Sequence, residues 1–266
     1  MTILCIGINT VYLQKNKDMN DFKIDFEDIP YDALAEFGIT QEMVDDLPEQ
    51  VLDALTKGQR TPVLPIVRVS NGKKYKDKAR ISLVESENGI KVMLLPCYED
   101  CDLGDYSKEE QEIIRTGKAV RVNMLQKGDC YVQLDFATNR LLSAAADLID
   151  QNINVCASCS KFDKNVIHNI KDGELATITA DGGEITLGID LHTDTGIRII
   201  NGSAAEWREA IKNDGLDRYS FGIYGCWVKT NNGDMEYVKE EDYTSEMISI
   251  ESQKVDKLKS SRSLKM

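Results

Sequence analysis

No uninterrupted apolar run in the sequence approaches the roughly 20 residues that a helix needs to cross a bilayer, so no membrane role is expected. Basic residues are scarce beside acidic ones, 32 Lys and Arg against 45 Asp and Glu, and the formal charge is −13. That deficit argues against a protein that simply coats nucleic acid, because phosphate binding needs clustered Lys and Arg. There are two histidines, and all five prolines lie at or before Pro96. Chain breaks beyond Pro96 must therefore rest on Gly, Asn and Asp. A secretory leader is also wanting. The first apolar stretch, 3–13, has no basic residues before it, is interrupted by Asn9 and Thr10, and shows no small-residue cleavage site. It reads as a strand, and Met19 opens a coherent acidic stretch that leaves 1–18 as an extension adding little to the fold. The seven cysteines form an odd set without dense spacing, which points to reduced thiols in a cytoplasmic protein.

What is present is ordinary in bulk and uneven in placement. Apolar residues make up 42% of the 266 and charged residues 29%, enough for one large domain or two smaller ones with separate cores. Residues 18–53 hold twelve acids and one base, 57–91 nine bases and three acids, 99–112 seven acids and one base, and 251–266 five bases and two acids. The acidic opening predicts three short helices, about 30–37, 40–46 and 48–57, with Gly38 and Gly58 as stops. Runs at 63–69, 79–84 and 90–95 predict an antiparallel meander. Asn88-Gly89 marks a tight hairpin, whereas Asn71-Gly72 sits in a longer lysine-rich loop. Capping boxes at Ser107–Glu110 and Ser203–Glu206 open two further helices. Strands follow at 119–125 and 130–136, and a later hairpin pairs 219–229 with 235–239.

A repeat is also visible. The segment 110–140 resembles 166–198: two isoleucines precede a glycine (Gly117, Gly173), two strands follow, and the second ends in D-x-x-T (Asp135–Thr138, Asp190–Thr193). An Asp side chain can accept the amide two residues on, and Thr can bond backward, so this pair fixes a turn at a strand end. The predicted fold is α+β, built of small antiparallel meanders and hairpins with short helices. It comprises two or three modules and an internal helix–hairpin repeat. In chain order the modules are an extension (1–21), a main domain (22–150), a second helix–hairpin (151–200), a helix plus hairpin (201–250) and a basic tail without regular structure (251–266).

Several runs carry a family resemblance: Ile-Pro-Tyr-Asp-Ala-Leu-Ala-Glu-Phe-Gly-Ile-Thr at 29–40, Leu-Thr-Lys-Gly-Gln-Arg-Thr at 55–61, Ala-Arg-Ile-Ser-Leu at 79–83, Thr-Gly-Lys at 116–118 and Thr-Asn-Arg-Leu at 138–141. In this order and spacing, residues 22–145 resemble an uncharacterised domain family of Bacteroidales conjugative transposons and related mobile elements, often encoded near topoisomerase or primase genes. The second repeat copy looks like short modules that follow that domain in the same proteins. No catalytic residues are established for that family, so the resemblance carries no site over. It implies a mobile-element or phage context. Family members tend to be longer and more basic, and 201–266 has no counterpart in the resemblance.

Three clusters are candidates for chemistry. The acids of the opening helices, Asp25, Glu27, Asp28, Asp32, Asp45 and Asp46, form a self-repelling run that a basic partner would relieve. Lys73, Lys74, Tyr75, Lys76, Lys78 and Arg80 combine cations for phosphate with an aromatic that can stack on a base. Cys156 and Cys159 form a C-x-x-C, which is half a zinc site or a redox pair if Cys97 and Cys101, His168 or His192 complete it, and otherwise two incidental thiols. His192, flanked by Asp190 and Asp194, has a catalytic reading beside the simpler one of a turn residue. Asp181-Gly182-Gly183 lacks the Lys-Ser/Thr of a phosphate loop and reads as a hairpin turn. The leading expectation is a non-enzymatic accessory protein that needs no cofactor and binds a basic surface of another protein, such as a host-defence or DNA-handling factor. The alternatives are a nucleic-acid-binding accessory acting through the Lys/Tyr loop, or a small zinc protein.

Overall fold

The computed structural model describes residues 2–6, 9–13, 23–87, 89–125, 127–160, 162–180, 183–212 and 215–263. A hairpin of β1 (Thr2–Ile6) and β2 (Asn9–Leu13) comes first. Three short helices follow, α1 (Tyr31–Ala35), α2 (Gln41–Asp45) and α3 (Glu49–Thr56), and then strands β3 (Leu64–Ser70), β4 (Lys73–Ser86) and β5 (Gly89–Pro96). Helix α4 (Lys108–Arg115) precedes β6 (Val120–Met124), β7 (Gly128–Asp135) and β8 (Arg140–Ala145). Next come α5 (Ala146–Ser160), α6 (Lys164–Lys171), β9 (Ala176–Ala180), β10 (Gly183–Ile189) and β11 (Ile197–Asn201). The chain ends with α7 (Ala204–Lys212), β12 (Tyr219–Phe221), β13 (Gly225–Lys229), β14 (Met235–Lys239) and α8 (Ser245–Ser263).

The fold is α+β, and beyond the two-stranded β1–β2 sheet its sheets are three-stranded antiparallel meanders with the middle strand of each in the centre. In chain order a helix, a glycine in the left-handed region and a meander recur four times among the described residues, through Gly58, Gly117, Gly173 and Gly215. The predicted repeat at 110–140 and 166–198 is thus two of four such stretches, and each copy has a third strand beyond the two expected. The capping boxes form: Ser107 Oγ accepts from the Glu110 amide at 3.2 Å while Glu110 accepts from the Ser107 amide at 2.7 Å. Ser203 and Glu206 repeat this at 3.3 and 2.7 Å.

The chain forms two compact units, one of Met1–Phe22 with Cys97–Gly215 and one of Lys23–Pro96 with Leu216–Met266. Each unit is assembled from two separated stretches of the chain. In the first unit, β7 is buried along most of its length because its side chains alternate between two apolar clusters. Tyr131 packs with Ile149 and Ile153 of α5, Ile170 of α6 and Leu187 of β10. Val132 and Leu134 turn the other way, to Ile114 of α4 and Val122 of β6. Each such aliphatic side chain contributes about 1.5–3 kcal/mol by leaving water.

In the second unit the meander of β3–β5 is joined to that of β12–β14 where the Met235 amide donates to the Val63 carbonyl at 2.8 Å. Helices α1 to α3 bury Leu34, Val44, Val51 and Leu55, and α8 lays Met247 on Tyr219 and Cys226. Helix α8 runs through the tail expected to lack regular structure. No glycine or proline follows Gly233, so nothing local stops it. The expected 219–229 strand is broken at 222–224, for a reason given below. Of the expected turns, Asn88 and Asp181-Gly182 lie outside the described residues. Among those described, no helix is long and apolar enough to cross a membrane.

Candidate functional site

The acidic stretch builds a scaffolded face. Ile24, Ile29, Leu34, Ile39 and Val44 are between 1 and 4% exposed, so the backbone between them is held against the core of the second unit. Asp25, Glu27, Asp28, Asp32 and Asp45 occupy the intervening outward positions and are exposed. Asp45 accepts a 3.4 Å bond from the Tyr31 hydroxyl, which raises the pKa of that phenol through burial and the adjacent carboxylate. Among the described residues none of these five carboxylates has an ion-pair partner.

Asp46 corrects the expectation. It is 4% exposed and points inward, so it is not part of a docking face. Its Oδ1 accepts from the Ile223 amide at 2.5 Å, its Oδ2 from the Tyr224 amide at 3.0 Å, and the Tyr237 hydroxyl donates to Oδ2 at 2.5 Å. Burial, followed by the bond to Asp46, drives the Tyr237 phenol well above its usual range. The Trp227 indole adds a 2.8 Å bond to the Met43 carbonyl. Residues 222–225 are the turn at which β12 folds back onto β13, closed by the Gly222 amide donating to the Gly225 carbonyl at 2.8 Å, and the amides of 223 and 224 within it bond to this carboxylate. A Cβ at Gly222 would stand 2.1 Å from Asp46 Oδ1, so a side chain has no room.

The lysine-rich segment expected as a loop is a strand. Asn71 and Gly72, at φ +51° and +73°, make the tight turn themselves, and β4 begins at Lys73. The six candidates then divide. Lys78 pairs with Asp234, and the Arg80 guanidinium donates to the Thr61 carbonyl at 3.0 Å, which ties both to the base of the hairpin. Lys73, Lys74, Tyr75 and Lys76 are exposed, and among the described residues the three lysines have no ion-pair partner.

In the first unit the two D-x-x-T turns form as expected. Asp135 Oδ1 accepts from the Ala137 amide at 3.1 Å, and Thr138 Oγ1 donates to Asp135 Oδ2 at 2.9 Å. Asp190 Oδ1 accepts from the His192 amide at 3.1 Å, and Thr193 Oγ1 donates to the Asp190 carbonyl at 2.8 Å. The two turns also meet. His192 Nδ1 lies 2.8 Å from Asp190 and its Nε2 3.6 Å from Asp135, while Arg198 Nε lies 2.6 Å from Asp190. Burial opposes charge on the ring, but the two carboxylates outweigh it and raise the His192 pKa from 6.5 to about 9. Asp190 is lowered: His192 and Arg198 overcome a burial that would raise it. A ring protonated near neutral pH, with a carboxylate at each nitrogen, has no lone pair with which to act as a general base. The group holds the repeat copies together, assisted by Gln133, which accepts from the Leu191 amide at 2.7 Å and donates to the Gly117 carbonyl at 2.9 Å.

Cys156 and Cys159 share α5, three positions apart. Cys156 is fully buried, and the side chain of Cys159 lies outside the described ones. His168 is exposed beside Asp172 at 3.4 Å, apart from the His192 cluster. Among the described residues no group of three or more His, Cys, Asp or Glu is placed to hold a metal ion. Sequence reasoning missed the Asp46 clamp, the coming together of Asp135, His192 and Asp190, and a third network in which Asp150 accepts from Tyr131 and Arg121, each at 3.0 Å. Only the second left a signal, in the paired D-x-x-T motifs.

Residues 24–103 match the family described as Protein of unknown function (DUF4099). That span takes in the acidic helices and the whole β3–β5 meander and ends before the D-x-x-T repeat, so an uncharacterised domain family covers part of the chain. No curated protein and no solved structure matches the chain.

Proposed function

We propose that this chain is a non-enzymatic accessory protein of a mobile element or phage, acting in the cytoplasm by docking its acidic face on a basic surface of another protein. The observation that carries the reading is the face itself. Five exposed carboxylates, Asp25, Glu27, Asp28, Asp32 and Asp45, alternate with nearly fully buried apolar residues, and among the described residues none is neutralised by a cation. The buried positions fix the backbone that carries the carboxylates, and their field steers a cationic partner from a distance. Asp46 has its own structural task and is left out of the face. The mobile-element setting draws its support from the family resemblance alone.

Affinity capture with the tagged full chain in its native cells tests the proposal. A specific basic protein should be retained, and the variant D25N/E27Q/D28N/D32N/D45N should lose it while melting at or above the wild-type temperature. Retention undiminished in that variant, or capture of nucleic acid with no specific protein, refutes it.

A further inference from the structure

The register of the first meander isolates a piece of it. Strand β5 pairs with β4 only from Ala79↔Pro96 to Ser86↔Gly89, whereas β3 pairs with β4 from Leu64↔Ala79 out to Ser70↔Lys73. Residues 65–70 and 73–78 therefore form a two-stranded ribbon of six pairs with no third strand. Its outer part is exposed on both faces, from Arg68 to Lys76, while Ile66 and Ala79 at its root are buried. A two-stranded ribbon without a core beneath it is marginal by itself. This one is held by its Asn71-Gly72 turn, by an Arg68–Asp77 ion pair at 2.6 Å and by the Lys78–Asp234 pair.

The charge left over is positive on both faces. Strand alternation puts Lys74 and Lys76 on one side, next to Val69, and Lys73 on the other, with Tyr75. An element laid flat on a surface would need cations on one face. An element inserted between two walls of phosphate needs them on both. The major groove of duplex DNA is about 12 Å wide and 8.5 Å deep and admits a two-stranded ribbon. Six residue pairs at a rise of about 3.3 Å give roughly 20 Å, long enough to reach the groove floor. Tyr75 and Val69, 50 and 60% exposed, lie near the tip, where apolar groups meet base edges and thymine methyls. The rest of the chain is strongly acidic and repels a polyanion, so the contact is confined to this projection.

We propose that this ribbon is a duplex-DNA contact that enters the major groove, with Lys73, Lys74 and Lys76 on the phosphates and Tyr75 towards the bases. It is a second surface, separate from the acidic face, and it requires no sequence specificity beyond the tip.

Binding of the purified full chain to a labelled mixed-sequence duplex of about 25 base pairs, followed by fluorescence anisotropy between about 50 and 200 mM salt, tests it. The logarithm of affinity should fall with log salt at a slope of about −3, as three phosphate contacts require. K74Q/K76Q should reduce the slope by about 2 and weaken binding to unrelated duplexes alike, whereas K91Q, an exposed lysine off the ribbon, should change nothing. Both ribbon lysines lie outside the core, so an unchanged circular dichroism spectrum and melting temperature will show that folding is intact. Absence of salt-dependent duplex binding, or an unaltered slope in K74Q/K76Q, overturns the proposal. A preference for single strands overturns the groove, and displacement by poly-glutamate as readily as by unlabelled duplex would mean an acidic protein partner instead. The neutralised acidic-face variant should bind DNA at least as well as the wild type, so either surface can fail without the other.

Discussion

A carboxylate withdrawn from water is stable only if its oxygens are met by donors, and Asp46 is met by two amides and a phenol drawn from 177 to 191 positions away. Removing the acceptor strands those donors in a nearly closed site. D46A should therefore destabilise the protein by about 2–4 kcal/mol, read as a lowered urea midpoint. G222A should cost about 1–3 kcal/mol, because the new methyl meets the carboxylate itself. The two sites share one contact, so the double variant should be less unstable than the sum of the singles; simple additivity would show that they act separately. His192 offers a different residue-scale test. Its pKa is about 9 in the folded chain and near 6.5 unfolded, so the charged ring favours the fold fully below pH 6.5, and that stability is lost as pH rises through 9. The lowered Asp190 works in the opposite direction, stabilising above the ordinary carboxylate range and losing this as pH falls through its folded value. Unfolding free energy should accordingly decline between pH 6.5 and 9.5 by at most about 3 kcal/mol from this group, and H192Q should flatten the decline. An equal slope in H192Q would rule the ring out as its source.

At the scale of elements, the helix stop is the recurring device, and its glycines differ in why they are needed. Gly173 has φ +82°, and a Cβ there would lie 2.4 Å from the Ala119 carbonyl oxygen of the neighbouring repeat copy. Gly128, a hairpin glycine and not a helix stop, has φ +72° at the head of β7 and faces open space, which makes it the comparison. G128A should cost only the left-handed penalty of about 1–2 kcal/mol, and G173A clearly more, because backbone must also move. Thermal melts of the two variants side by side decide it, and equal losses would show that the contact yields freely. These stops, the capping boxes and the D-x-x-T turns were legible in the sequence because each is closed within a few residues by its own side chains. Helix α5 was not: Ala146 continues straight from β8 with no cap, and its buried Asn152 is satisfied by the Thr195 carbonyl 43 positions on. The ribbon was hidden for the opposite reason, since alternating lysines read as solvated loop unless the opposing strand is known. Asp46 was placed on the acidic face with its neighbours because its distant donors leave no local mark.

Over the whole molecule, charge is sorted more strictly than chain order. The second unit contains both the acidic face and the cationic ribbon, and no ion pair between a carboxylate of 25–45 and Lys73, Lys74 or Lys76 is found among the described residues. Its unity instead rests on hydrogen bonds and packing between 23–96 and the segment after Leu216. Two consequences follow for a chain of net charge −13. Self-repulsion among unpaired carboxylates should destabilise the fold at low ionic strength, and salt, which shortens the screening length from about 30 Å at 0.01 M to about 3 Å at 1 M, should relieve it. The melting temperature should thus rise by a few degrees across that range of sodium chloride. The D25N/E27Q/D28N/D32N/D45N variant, with five negative charges fewer, should start higher and rise less. K74E/K76E removes two positive charges and adds two negative ones, taking the net from −13 to −17, and should start lower and rise more. The ordering of the three slopes carries the argument, because a general salting-out of the core would lift all of them equally. A melting temperature that falls with salt in the wild type would mean that attraction between the two surfaces outweighs repulsion within the acidic one.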